Sequence, residues 1–313
     1  MTSPMSGSST LPDGVDTPRR SFTIPGLRRH KVRDGADPLV MLTAYDAPTS
    51  RLAAAAGIDL LLVGDSVGTA VLGYDSTVPV TLDDIIHHAK AARRGAPTAH
   101  IIADLPFLTY QVSDEQAVTN AGRLLQEGGA DAVKLEGGRA QADRIRAIVS
   151  SGIPVVGHIG LTPQSAGALG GMRVQGRDLD GALQLIDDAR AVEAAGAHML
   201  VLEVVPADLG AILTEAVSIP TIGIGAGAAC DGQVLVWTDL VGLTAKPPEE
   251  AIRPRFAEPT LDLNAELMGA FAGFAEAVRS GAYPQPRHTY GMKADVLDAL
   301  RIRLQEAAGD GDA

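Results

Sequence analysis

The sequence predicts an α/β fold, a closed (β/α)8 barrel with additional helices at its C-terminal end. Three observations predict it. One phrase keeps returning: an Ala-rich, helix-like segment, a glycine, a short polar step and an apolar run, as in "AAAAGIDLLLVGD" (53–65), "LLQEGGADAVKLEG" (124–137) and "VEAAGAHMLVLEV" (192–204). The helix-like segments alternate with the apolar runs instead of clustering, which implies a parallel sheet. Eight such units over about 200 residues fit the length of one barrel. A doubly wound open sheet satisfies the same periodicity, which does not separate the two.

In chain order, strands are expected at 39–45, 59–65, 100–105, 131–136, 154–158, 198–204, 220–224 and 234–241. Glycine after each helix-like segment supplies a left-handed cap, and the next strand starts almost at once. Looser copies are "VSSGIPVVGHIG" (149–160) and "VSIPTIGIGAG" (217–227). Helix starts are marked at "TLDD" (81–84) and "SDEQ" (113–116), where a hydroxyl precedes an acid or amide by three residues. Ahead of the barrel, residues 1–21 are rich in Ser, Thr and Pro and read as a flexible tail. A transit peptide is the rival reading, against which Asp13 and Asp16 count. The barrel is expected over 22–260. Two amphipathic segments follow in 261–313, "LNAELMGAFAGFAEAVRSG" (263–281) and "ADVLDALRIRLQEA" (294–307). They form a helical extension that packs on the barrel or on a neighbouring subunit.

Composition narrows the function. A net charge of −12 argues against nucleic acid or an anionic membrane as the main partner. The single cysteine, Cys230, excludes an internal disulfide and suits a reducing cytosol, so a cytoplasmic protein is expected. Neither a signal-peptide core nor an apolar run of transmembrane length is evident.

The polar residues fall in a pattern. Functional groups of a barrel sit at the C-terminal ends of its strands. The second strand ends in Asp65 and Ser66, the third in Asp104, the fourth in Lys134 and Glu136, the fifth in His158 and the sixth in Glu203. A lone acid at a strand end is commonly a helix cap; five consecutive strands ending this way are not explained by caps. "DAVKLEGG" (131–138) is the sharpest case, since Lys134 and Glu136 share the face opposite Val133 and Leu135. Asp65, Asp104 and Glu136 are expected side by side on adjacent strands, where an all-oxygen set selects a hard cation such as Mg2+. The competing reading pairs one or two of these acids with Lys134 or a nearby Arg. Lys134 is expected to hold a substrate carboxylate or oxyanion, since acids around it oppose the lowered pKa a Schiff-base lysine needs. His158 is either a donor to substrate oxygen or a satisfied core histidine. Glu203, away from the metal cluster, is free to act as a general base if burial raises its pKa.

Two motifs are set aside. "GDSVG" (64–68) matches a nucleophile elbow, but the residues after Ser66 carry Gly73 and Pro79 and no helical period. "GIGAG" (223–227) resembles a dinucleotide-binding loop without its G-x-G-x-x-G spacing, and reads as a tight turn.

Together, "LTAYDAPTSRLAAAAGIDLLLVGDSVG", "IADLPFLTY", "AVKLEGG", "VVGHIGLTPQS", "LEVVP" and "IPTIGIGAGAACDGQVLV" resemble the ketopantoate (3-methyl-2-oxobutanoate) hydroxymethyltransferases, in order from about residue 22 to 290. The resemblance implies a TIM barrel of the phosphoenolpyruvate mutase/isocitrate lyase type, assembled as a homo-oligomer, a decamer of two pentameric rings. It implies hydroxymethyl transfer from 5,10-methylenetetrahydrofolate to 3-methyl-2-oxobutanoate for pantothenate and coenzyme A synthesis. By position, Asp65, Asp104 and Glu136 match metal ligands for Mg2+, and Asp65, Ser66, Asp104 and Lys134 match the oxo-acid contacts. Glu203 matches the catalytic base, with Lys134 and His158 beside it. A folate-independent carbon–carbon lyase of the same barrel group, acting on another 2-oxo or 2-hydroxy acid, is the alternative.

Overall fold

Eight parallel strands close on themselves in chain order: β1 Leu39–Thr43, β2 Leu60–Val63, β3 His100–Asp104, β4 Ala132–Glu136, β5 Val155–Gly160, β6 Met199–Glu203, β7 Thr221–Ile224 and β8 Gly232–Leu235. The computed structural model describes residues 22–247 and 254–309, so the expected tail at 1–21 lies outside the described residues. β8 returns to β1 with Leu39 opposite Gly232 and Met41 opposite Val234, which excludes the open sheet. The chain divides into two compact units, one ending at Leu261 and one starting at Asp262.

Side chains alternate along each strand, as a pleated backbone requires. Leu60, Ile102, Ala132, Val156, Met199, Ile222 and Val234 fill the barrel. Leu61, Ile101, Val133, Val155 and Leu200 face outward into a second core shared with the surrounding helices. Helices Ala47–Ala55, Leu82–Gly95, Asp114–Gln126, Ala142–Ser150, Leu179–Ala194 and Ala207–Ala216 follow β1 to β6 in turn. The two expected caps form: Thr81 and Asp84 make a reciprocal capping box, and the Ser113 hydroxyl accepts from Gln116 N at 3.1 Å. The glycine run after β7 is a turn, in which a Cβ on Gly227 (φ +86°) would lie 2.9 Å from Ala207 Cα.

The eighth strand is shorter than expected. It stops at Leu235, and Trp237–Leu240 is a single helical turn. β1, its only neighbour on that side, ends at Thr43, whose hydroxyl accepts from Trp237 N at 3.0 Å and takes the chain off the ladder.

At the opposite end from the strand C-termini, Lys31 and Asp231 form a buried ion pair at 2.6 Å. Lys31 Nζ also donates to the carbonyls of Thr214 and Ile219, and Asp231 accepts from Val32 N and Thr221 N. Every polar atom of the pair is engaged, and the network ties the segment before β1 to the start of β8. The second unit carries helices Leu263–Arg279 and Ala294–Gly309; Asp262 caps the first by accepting from Ala265 N at 3.1 Å. Among the described residues no helix is long and apolar enough to cross a membrane.

Candidate active site

The inward face of β4 runs Ala132, Lys134, Glu136, so apolar packing gives way to charge as the strand reaches the barrel mouth. β3 ends the same way in Asp104, β5 carries His158 two residues after the inward Val156, and Asp65 follows β2 by two residues. All five side chains are buried. Glu203, at the end of β6, keeps 15% of its side chain exposed, against 3% for Glu136, and is therefore the acid open to an entering molecule.

Register decides who meets whom. Asp104 lies opposite Lys134, not Glu136, and the two form an ion pair at 3.1 Å. Glu136 lies opposite His158, one pleat nearer the rim. The three acids expected side by side thus sit at different heights, and one of them has the lysine as its partner. Asp65 joins through its backbone: its N–H donates to Asp104 Oδ2 at 3.0 Å. That approach needs Gly64, where a Cβ would stand 3.3 Å from the same Oδ2 and 2.8 Å from Ser66 Oγ. Ser66 shares a 2.8 Å hydrogen bond with Tyr45 OH. A four-residue helical turn, Val67–Ala70, does begin after Ser66, contrary to expectation; the serine's side-chain partner is nevertheless a tyrosine and not a histidine base.

Lys134 Nζ is also 3.3 Å from His158 Nδ1. An ammonium can only donate, so Nδ1 is the acceptor and the ring hydrogen sits on Nε2. Nε2 lies 3.2 Å from Glu203 Oε2, a close contact not aligned as a hydrogen bond. Burial, reinforced by the Lys134 charge, lowers the His158 pKa and keeps the ring neutral. Burial opposes the ammonium of Lys134, but Asp104, Asp65 and Glu136 outweigh it and hold its pKa above the usual lysine range. Burial and then Asp104 push Asp65 up to about 7. Burial and then Asp65 push Glu136 well above the ordinary carboxylate value. The acids are crowded enough to retain protons when nothing else neutralises them.

Residues the sequence reading did not single out complete the site. Gln164, in the loop after β5, is buried; its backbone N–H donates to Glu136 Oε2 at 3.0 Å and its Nε2 to Asp65 Oδ2 at 2.8 Å. Tyr110 OH shares hydrogen bonds with Gln164 Oε1 (3.0 Å) and the Glu136 backbone. Burial first, then the Glu136 charge, keeps that phenol protonated by raising its pKa. A glutamine after a proline in a loop has no periodic signal; only its place in "VVGHIGLTPQS" could have drawn attention.

Among the described residues, no three His, Cys, Asp or Glu side chains are grouped closely enough to hold a metal ion. A smaller donor set does fit. Mg2+ is held by one or two carboxylates and keeps several waters. Asp65 and Asp104 adjoin, and Asp104 Oδ1 is buried without a partner. Glu136 is committed to Gln164 N and faces His158 Nδ1 at 3.7 Å.

Comparison with known proteins bears on this geometry. The family model described as ketopantoate hydroxymethyltransferase matches residues 21–286. The chain is 52% identical over 272 residues to the 3-methyl-2-oxobutanoate hydroxymethyltransferase of Moorella thermoacetica, covering 87% of this chain and 98% of that one. It is 49% identical over 270 residues to the same-named enzyme of Bacillus subtilis, covering 86% and 96%. Among solved structures, a phosphoenolpyruvate phosphomutase of Streptomyces platensis aligns with a TM-score of 0.54 at 16% identity, over 90% of this chain and 96% of that one. A 2,3-dimethylmalate lyase, a member of the PEP mutase/isocitrate lyase superfamily, aligns with 0.52 at 17% identity, over 92% and 99%. At those identities the likeness is one of fold. The family match spans most of the sequence and the relatives are about half identical to it. The chain belongs to the ketopantoate hydroxymethyltransferase family.

Proposed function

We propose that this protein transfers a hydroxymethyl group from 5,10-methylenetetrahydrofolate to 3-methyl-2-oxobutanoate, giving ketopantoate for pantothenate and coenzyme A synthesis. The observation that carries the reading is the convergence of Lys134, His158 and Glu203 with two aspartates at one barrel mouth, in a chain of this family. The C3 hydrogen of the oxo acid is acidified by the neighbouring ketone. Glu203 removes it, being the acid of the set that an entering molecule reaches. The electron pair released from the C–H bond forms an enolate. Water hydrolyses the folate iminium to formaldehyde, tetrahydrofolate leaving with a proton on its nitrogen. The enolate C3 adds to the formaldehyde carbon while the aldehyde oxygen takes up the proton that Glu203 holds. His158, neutral with its hydrogen on Nε2, stands 3.2 Å from Glu203 Oε2 and is the group assigned to donate to that carboxylate when the oxo acid is bound. Lys134, fixed by Asp104, places a positive charge where the oxo acid becomes more negative. A Mg2+ held by Asp65 and Asp104, with Glu136 behind them, would supply Lewis-acid stabilisation of that charge. Ser66, held by Tyr45, is assigned to the oxo acid beside Asp65.

A cytoplasmic homo-oligomer, two stacked pentameric rings, completes the proposal. The exposed Met268, Phe271 and Phe274 of the second unit support association, and sedimentation of the intact chain tests it. The function itself is tested in deuterated water with 3-methyl-2-oxobutanoate. C3 exchange is expected in the wild type without folate, lost in Glu203→Gln, and product is expected only when methylenetetrahydrofolate is added. Exchange that persists in the variant would remove Glu203 as the base.

A further inference from the structure

We infer that Gln164 is a positioning residue that selects which oxygen of Asp65 faces the bound ligands. Its carboxamide can be placed only one way. The atom 3.0 Å from the Leu105 carbonyl must be the NH2 group, because a carbonyl oxygen cannot donate. The other hydrogen of that NH2 goes to Asp65 Oδ2 at 2.8 Å, and Oε1 is left to accept from Tyr110 OH at 3.0 Å. Turned over, the amide would set an oxygen against both Leu105 O and Asp65 Oδ2. Gln164 itself is held at its backbone, whose N–H donates to Glu136 Oε2 at 3.0 Å.

The consequence is a matched pair of aspartates. Asp104 Oδ2 is occupied by Lys134 Nζ (3.1 Å) and Asp65 N (3.0 Å), and its Oδ1 is buried without a partner. Asp65 Oδ2 is occupied by Gln164, and its Oδ1 makes no hydrogen bond among the described residues. Each aspartate therefore spends one oxygen on the protein and presents the other. Gln164 does for Asp65 what Lys134 does for Asp104, from a loop instead of a strand, and without adding charge. Hydrogen bonds behind a ligating carboxylate fix its orientation, and removing one typically weakens metal binding about 10–100-fold.

The inference rests on the proposed function where it takes the presented oxygens to meet a cation, so the test reads the cation directly. Mn2+ serves as probe, its free concentration followed by electron paramagnetic resonance with the full-length chain. Gln164→Met keeps the shape and removes the donors; Mn2+ binding is expected to weaken about 10-fold or more. Tyr110→Phe loosens the same loop but spares the Gln164–Asp65 bond, and is expected to bind Mn2+ near wild-type affinity. If Q164M does not fold, Q164N carries the same expectation, keeping a polar amide one methylene short of Asp65. Equal affinity in wild type and the Gln164 variant would overturn the inference alone, as would an equal loss in Y110F. A wild type that binds no Mn2+ would overturn the cation reading and the inference with it.

Discussion

Replacing Asp65 by Asn removes one buried charge while leaving the side chain's shape and the oxygen that accepts from Gln164 Nε2 at 2.8 Å. In the metal-free protein that charge is held at a disadvantage, because burial and then Asp104 raise the Asp65 pKa from 3.8 to about 7. The sign follows from proton binding. Between the unfolded and folded pKa values the folded state holds a proton that the unfolded chain has released, so stability falls as pH rises. The slope is at most about 1.4 kcal/mol per pH unit, and the loss is complete once pH passes the folded pKa. From about pH 5 to about pH 8, roughly two units of this titration remain, or about 3 kcal/mol. The amide of the D65N variant has nothing to titrate. Denaturant unfolding of EDTA-treated wild type and D65N across that range therefore yields a difference curve in which the variant gains about 3 kcal/mol toward alkaline pH. Taking the difference cancels the exposed carboxylates, while Glu136, whose pKa Asp65 itself raises, is relieved in D65N and adds to the difference with the same sign. Added Mg2+ should restore the wild type at about pH 8 and leave D65N unmoved, since a ligand stabilises only the state that binds it. A pH-independent difference, or one that grows toward acid, would refute the account of a charge held against its own site.

Two further perturbations reach other parts of the fold. Lys31→Met leaves Asp231 buried without its counter-ion and is expected to destabilise the barrel by about 3–5 kcal/mol in denaturant titration; a loss under about 1 kcal/mol would show the pair to be dispensable. Val204, next to Glu203, has φ +49°, a left-handed conformation that costs a non-glycine residue about 1–2 kcal/mol. Val204→Gly is expected to hold or raise the melting temperature while lowering kcat, because the turn that aims Glu203 loosens; unchanged kcat would separate the strain from catalysis.

The barrel was legible because each repeat carries its own instructions. Glycine caps, N-cap hydroxyls and apolar runs act over a few residues, so Thr81, Ser113 and the strand starts could be read without knowing the rest. Reading failed where the determinant is non-local. Nothing in "VLVWTDL" says that β8 must stop at Leu235, because its partner β1 sets that limit at Thr43. Lys31 and Asp231 stand 200 residues apart and give no joint signal, although together they close the barrel floor.

The site divides along the same line. That Asp65, Asp104, Lys134, Glu136, His158 and Glu203 gather at one mouth follows from strand ends alone, since parallel strands in a barrel all finish on one face. Which of them touch follows from stagger, and stagger is fixed by how the whole sheet closes. It is stagger that puts Lys134 against Asp104 and lifts Glu136 to the level of His158, turning a row of acids into an ion pair below and, above it, a rim where Glu136 accepts from Gln164 N. Four carboxyl groups and one ammonium then share the mouth, so an anionic oxo acid meets a site of its own sign. Protons can neutralise that site, as the raised Asp65 and Glu136 pKa values express, but a protonated acid no longer attracts a cation. The proposed Mg2+ resolves the conflict only if the carboxylates can be held apart and ready while it is absent. Lys134 can be read from the sequence as one of the holders because it is charged. Gln164 does the same work with hydrogen bonds alone, and a neutral residue in a loop becomes visible only when the acids it separates are in place.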